Sequence, residues 1–154
     1  MSSVENYIPY EPNAQGFTEA LIDLKSTMPS QTVFKVTGYN TTCFENVTQG
    51  DALFSRASDG QVGKAIANDT FDKACVAGVA ETTQPAGQTV KVIVTGIVAT
   101  SGLNAGDQYF LSAASAGAIV ETPPSSAGQY VTRVGEAGST GQFIVNAERP
   151  ILLS

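Results

Sequence analysis

Residues 90–98 read VKVIVTGIV, and this stretch decides the fold. β-Branched residues fill most of it, and Gly96 interrupts the run near its end. Such a run is typical of a strand inside a sheet, because β-branched side chains pack well on a pleated surface. We therefore predict either one central strand over Thr89–Thr100 or two strands that bend at Gly96.

The chain after Ser30 continues in the same way, with short runs of β-forming residues separated by Gly, Asn, Asp and Pro. Many short strands with turn signals between them indicate a sandwich or a barrel. No second helical pattern follows, so the predicted fold is all-β. The predicted strands are Thr32–Thr37, Ala52–Arg56, Gly63–Ala67, Ala74–Ala80, Thr89–Thr100, Gln108–Ser112, Ala118–Thr122, Gln129–Gly135 and Gln142–Ala147.

An internal repeat organises this region. The sequence QGDALF at residues 49–54 recurs as AGDQYF at 105–110, and CVAGVAE at 75–81 recurs as YVTRVGE at 130–136. Each unit consists of a Gly-Asp turn, a strand, a Gly-containing hairpin and a strand that ends in Glu. We predict two related β-modules, at approximately 49–81 and 105–136, that share one core, since one module alone could hardly bury enough surface.

The first 30 residues differ from the rest, and we predict a β domain over residues 31–154 preceded by an arm and a short helix over residues 1–30. Two prolines among the first 16 residues resist both helix and central strand, which indicates an extended arm. From Phe17 to Met28 the apolar residues follow helical spacing, and Pro29 ends the pattern. This helix could cover one end of the β core or bind a partner.

The arm, the helix and the C-terminal tail hold apolar residues that the two modules do not need. Such residues cost solubility unless another surface covers them. We therefore predict that they form protein interfaces: Tyr7, Ile8, Pro9, Tyr10, Phe17, Leu21, Leu24, Ile151, Leu152 and Leu153.

Composition narrows the classes of partner. The net charge is −6, and only 14% of residues are charged, so the concentrated positive field that nucleic acid or an anionic membrane requires is not expected. The N-terminus has neither a basic start nor an apolar run, so we expect no secretory signal and intracellular synthesis. A surface of neutral polar residues suits a protein that contacts other proteins.

The residues also argue against catalysis, metals and cofactors. The chain has no histidine, the usual general base near neutral pH and the commonest transition-metal ligand. Asp51 and Asp107 occupy equivalent repeat positions, which favours a role in turn formation for both. Cys43 and Cys75 belong to no CxxC pair, and buried free thiols are the expected state, with a disulfide as the alternative. We expect no enzyme and no cofactor.

The second module carries a resemblance to known proteins. Residues 105–112 (AGDQYFLS), 117–120 (GAIV), 123–124 (PP) and 128–137 (GQYVTRVGEA) resemble a unit that recurs in tailed-phage virion proteins. Capsid decoration (cement) proteins and some head-protrusion or fibre subunits carry similar units. The resemblance covers roughly residues 47–147, and residues 1–28 fall outside it.

The resemblance implies a structural virion protein that binds the outer surface of an assembled phage capsid and stabilises it. Its partners would be the major capsid protein and further copies of itself, with a trimer favoured, and its location would be the capsid surface. The alternative is a head-fibre or tail-fibre component that binds a host receptor or glycan, on which Tyr39, Tyr109 or Tyr130 could stack.

Overall fold

The computed structural model describes residues 36–154, and these are almost entirely β-strand and connecting turns. The strands are β1 (Thr37–Thr42), β2 (Ala52–Ser55), β3 (Val62–Lys64), β4 (Gly78–Ala80), β5 (Thr89–Ala99), β6 (Gln108–Leu111), β7 (Ile119–Val120), β8 (Tyr130–Val131), β9 (Arg133–Ser139), β10 (Gln142–Asn146) and β11 (Ile151–Leu152). One short helix, α1, spans Phe71–Ala74. The predicted all-β fold is confirmed, in the form of a curled antiparallel sheet that makes a half-barrel.

One antiparallel sheet holds nine of the strands. Their order is β3-β2-β4-β5-β10-β9-β6-β7, and β1 pairs with β5 beside this path. The residues that decided the fold form a single strand, β5, and not two. Gly96 lies within it at φ 132°, and a Cβ there would come within 2.9 Å of the Val36 backbone. Glycine is therefore required at this position both by backbone conformation and by space.

The strand order is symmetric about the β5–β10 pair. On one side of this pair, β4 is followed by the β2–β3 hairpin; on the other side, β9 is followed by the β6–β7 hairpin. The two repeat units of the sequence thus occupy opposite halves of the sheet. Strands β8 and β11 form a separate two-stranded ribbon.

The Gly-Asp turns enter the two halves in the same way. The N–H of Gly50 donates to the carbonyl of Ala80 at 2.9 Å, and the N–H of Gly106 donates to the carbonyl of Ala137 at 2.8 Å. In the sequence repeat, Ala80 corresponds to Gly135, whereas in the structure it corresponds to Ala137. The register between β6 and β9 shifts by one residue between Tyr109 and Phe110, which accounts for one of these two positions.

Apolar side chains pack on both faces of the sheet. The larger core contains the buried rings of Tyr109 and Phe143, whose centroids lie 5.9 Å apart. A smaller cluster around Leu53 and Val92 packs beneath Cys43 and Val47, in the segment that follows β1. Neighbouring residues of β2 and β5 divide between the two clusters, as strand alternation requires.

Several predicted strand boundaries were wrong. The segment predicted as Ala74–Ala80 holds the end of α1 and then β4, because the Thr70 hydroxyl caps the helix by accepting from the Lys73 N–H at 3.3 Å. The segment predicted as Gln129–Gly135 divides into β8 and β9. Thr132 separates them, and its buried hydroxyl donates to the carbonyl of Ala74 at 2.9 Å.

The remaining differences lie at the ends of the described region. Strand β1 begins at Thr37, and most of the predicted strand Thr32–Thr37 lies outside the described residues. The C-terminal tail, predicted only as a contact, forms β11. Within residues 36–154, no helix has the length and apolar character that crossing a membrane requires.

Candidate interaction surface

The two-stranded ribbon carries the most exposed large apolar residues of the described chain. Ile151 is 64% exposed and Leu152 is 58% exposed, on a strand that pairs Ile151 with Val131 and Leu152 with Tyr130. The N–H of Leu153 donates to the carbonyl of Gln129 at 2.9 Å, which fixes the ribbon. The ordered backbone of the ribbon thus keeps the Ile151 and Leu152 side chains exposed to solvent.

A third exposed apolar residue lies against the same ribbon. Phe71, at the start of α1, is 42% exposed, and its ring meets the ring of Tyr130 edge-on at a centroid distance of 6.0 Å. The N–H of Tyr130 donates to the carbonyl of Ala67 at 2.9 Å, which ties the ribbon to the body of the domain. We name Phe71, Tyr130, Ile151 and Leu152 the C-terminal patch, in which Ile151 and Leu152, as successive residues of a strand, point to opposite faces of the ribbon.

The apolar side chains of the patch are less stable in water than they would be if buried. Fully burying an aliphatic or aromatic side chain of this size is worth about 1.5–3 kcal/mol. Exposed apolar clusters on soluble proteins commonly mark protein interaction sites. The arrangement therefore suits docking on a complementary apolar surface.

The structure places only some of the predicted interface residues. Ile151 and Leu152 lie in the patch, whereas Leu153 is half-buried. The other seven, Tyr7, Ile8, Pro9, Tyr10, Phe17, Leu21 and Leu24, lie outside the described residues. Phe71 was missed, since the sequence around it reads as a polar loop, and only the Thr70 cap signal could have indicated an ordered helix there.

Two further exposed apolar residues lie at the start of the described region. Val36 is 51% exposed and Tyr39, on β1, is 40% exposed. Partial burial raises the pKa of the Tyr39 phenol above its ordinary value, so it stays protonated near neutral pH. Its hydroxyl can therefore both donate and accept a hydrogen bond at an interface.

The chain matches no protein-family model and no curated protein sequence.

The described residues offer little to a metal ion. In residues 36–154, no group of three or more His, Cys, Asp and Glu side chains is placed to hold one. The Asp51 carboxylate instead stabilises the turn, because its Oδ2 accepts a hydrogen bond from the Thr48 N–H at 2.8 Å. Burial raises the pKa of Asp51, while the Thr48 hydrogen bond and Lys64 oppose this shift. The predicted turn role of Asp51 is confirmed.

Both cysteines are free thiols, as expected. Cys43 is fully buried and donates from Sγ to the carbonyl of Pro85 at 3.2 Å. Cys75 is only half-buried, which corrects the expectation of full burial for both. Burial, together with nearby Asp72, raises the pKa of the Cys75 thiol, so its reactive thiolate form is disfavoured.

The three tyrosines considered for glycan stacking have different surroundings. Tyr109 is only 4% exposed and lies in the core, and Tyr130 packs against Phe71. Of the three, only Tyr39 exposes a substantial fraction of its ring. A ring that stacks on a sugar needs an open face, so Tyr109 is a poor candidate for that role.

An open cleft of about 640 Å³ lies beside Tyr109 and the β6–β7 hairpin. The Tyr109 hydroxyl donates to Glu121 Oε2 at 3.0 Å, and the N–H of Asn104 donates to the same hydroxyl at 2.9 Å. The Asn104 bond lowers the pKa of Tyr109, but burial and the Glu121 carboxylate outweigh it, and the net shift is upward. Tyr109 therefore remains a protonated donor to Glu121.

Proposed function

We propose that the chain is a structural virion protein that binds the outer surface of an assembled phage capsid and stabilises it through protein–protein contacts. Its partners in this proposal are the major capsid protein of the same virus and further copies of the chain, with a trimer favoured. It acts without catalysis and without a cofactor. It is made in the host cytoplasm and functions on the capsid surface.

The observation that carries the proposal is the C-terminal patch. Ile151 and Leu152 are held more than half exposed on an ordered strand, and Phe71 lies beside the same ribbon. In a free monomer, these exposed side chains contribute no burial free energy. In a protein that is bound to a partner, each side chain is buried at the interface and contributes to the free energy of binding.

The composition supports the same proposal. Charged residues make up only 14% of the chain, and the cores of protein interfaces are depleted of charge. The resemblance of residues 105–137 to a unit of phage decoration proteins supplies the class of partner. For the fibre alternative, Tyr109 has no open face for a sugar, which leaves Tyr39 as the exposed ring of the three tyrosines considered.

Decoration needs no chemistry. A molecule that binds the assembled shell and not its separated subunits stabilises the shell by mass action, in proportion to its concentration over its dissociation constant. Many copies on one shell multiply a modest stabilisation at each site. An all-β domain with a rigid, preformed contact surface loses little conformational entropy on docking.

The test is co-sedimentation with shells. The purified full chain is mixed with undecorated, expanded shells of the virus that encodes it, and separately with the unassembled major capsid protein. Saturable co-sedimentation with the shells and none with the unassembled protein is expected. If the chain stays in the supernatant at micromolar concentration, the proposal is wrong.

A further inference from the structure

The cleft beside the β6–β7 hairpin combines an apolar wall with one fixed carboxylate. Ile119, Val120 and Pro124 contribute apolar surface to its lining, and Glu121 contributes the carboxylate. Its volume of about 640 Å³ lies in the range of sites that take a small molecule or a protein side chain. We name it the Glu121 cleft.

Glu121 is held in place although its side chain is exposed. The Tyr109 hydroxyl and the Asn104 side-chain amide both donate to one oxygen, Oε2. Tyr109 is itself fixed by the core and by the Asn104 N–H. A surface glutamate ordinarily loses rotamer entropy when it binds a partner. The two hydrogen bonds to Glu121 already restrict its rotamer in the free protein, so less entropy is lost on binding.

The second oxygen of Glu121, Oε1, has no protein partner in the described part of the chain. Within residues 36–154, Oε1 accepts no hydrogen bond, and no lysine or arginine forms an ion pair with this carboxylate. A carboxylate oxygen has two lone pairs, so the two donors satisfy Oε2, and a further donor would bind at Oε1. A cationic donor forms the strongest hydrogen bond to a carboxylate oxygen.

We propose that the Glu121 cleft binds a primary ammonium on an aliphatic stem, which in a protein partner is a lysine side chain. The stem packs along Ile119 and Val120, and the ammonium donates to Glu121 Oε1. A guanidinium is less suited, since its paired fork needs both carboxylate oxygens and Oε2 is occupied. The net charge of −6 favours the approach of any cation.

This inference deepens the proposed function and rests on it in one respect, namely that the lysine belongs to the shell protein. The binding chemistry itself does not depend on that assignment. The two can fail separately: the chain can bind shells without using this cleft, and the cleft can bind an ammonium in a chain that binds no shell.

The test uses three small probes and the full chain. Nα-acetyl-lysine N-methylamide, its norleucine counterpart and its arginine counterpart are titrated while amide chemical shifts are followed by NMR. The lysine probe is expected to give saturable shifts at Ile119, Val120 and Glu121. Norleucine, which has the stem without the charge, should give none, and arginine should bind at least about threefold more weakly than lysine.

Two variants and a control locate the effect. Glu121→Gln should weaken lysine-probe binding at least about fivefold, and Tyr109→Phe, which removes only the positioning hydroxyl, should weaken it less. Glu81→Gln is the control, because Glu81 lies outside the cleft lining and its Oε1 is 3.8 Å from Lys91 Nζ. Unchanged binding in Glu121→Gln, or equal binding of the norleucine probe, would overturn the inference. Shell co-sedimentation of Glu121→Gln then tests the partner assignment.

Discussion

Gly135 is where a single added methyl group should test the sheet most severely. It lies in β9 between two neighbours, opposite Tyr109 on β6 and Val145 on β10. A Cβ at this position would stand 2.0 Å from the Ile144 carbonyl oxygen, an atom of the backbone that cannot rotate away. Ordinary contact distances are about 3.5 Å, so β9 and β10 would have to separate by roughly 1 Å or more.

The cost of Gly135→Ala follows from that separation. Overpacking in a core costs about 1–3 kcal/mol, and each weakened ladder hydrogen bond adds about 1 kcal/mol. We expect the free energy of unfolding to fall by about 3 kcal/mol, measured by urea denaturation with circular dichroism. Gly138→Ala is the control, since the nearest atom to its Cβ would be Ile144 Cδ1 at 3.2 Å, the end of a flexible side chain. Equal stability of the two variants would refute the reasoning.

Two further predictions concern the interface and the thiols. The double change Ile151→Ser and Leu152→Ser should leave the melting temperature nearly unchanged and weaken shell binding at least about thirtyfold, roughly 2 kcal/mol, because more than half of each residue's surface remains to be buried. Val36→Ser, at another apolar residue that is 51% exposed, is the control. Unchanged binding of the double variant would remove the patch from the interface. Cys43→Ser should lower stability by about 1–2 kcal/mol, since a hydroxyl costs more to bury in this apolar cluster than a thiol, even where it keeps the hydrogen bond to the Pro85 carbonyl. A thiol reagent should modify Cys75 slowly and Cys43 only on unfolding, and a disulfide between them in the native protein would contradict this.

Much of the sheet could be predicted because its signals are local. The run at residues 90–98 became β5, and the Gly-Asp repeat became two equivalent turns. The symmetric strand order could not be predicted, since pairing β5 with β10 at the centre depends on contacts between residues far apart in the chain. The bulge in β9 could not be predicted either, because a bulge changes the register of a strand pair without a signal in the composition of the sequence.

The interaction surface was only half predictable. Ile151 and Leu152 could be predicted as interface residues, because they are apolar and lie outside both modules of the repeat. Phe71 could not be assigned to the same surface, because nothing in the sequence indicates that α1 packs beside β8. The fixed orientation of Glu121 was equally hidden, as it depends on a hydroxyl from β6 and an amide from a preceding turn.

In the proposed function, binding of the chain stabilises an assembled shell. The most direct measurement is the temperature at which undecorated, expanded shells disassemble, followed by light scattering, with and without saturating amounts of the chain. The disassembly temperature should rise with concentration and level off when the sites are full. A disassembly temperature that does not change while the chain co-sediments with the shells would contradict the claim.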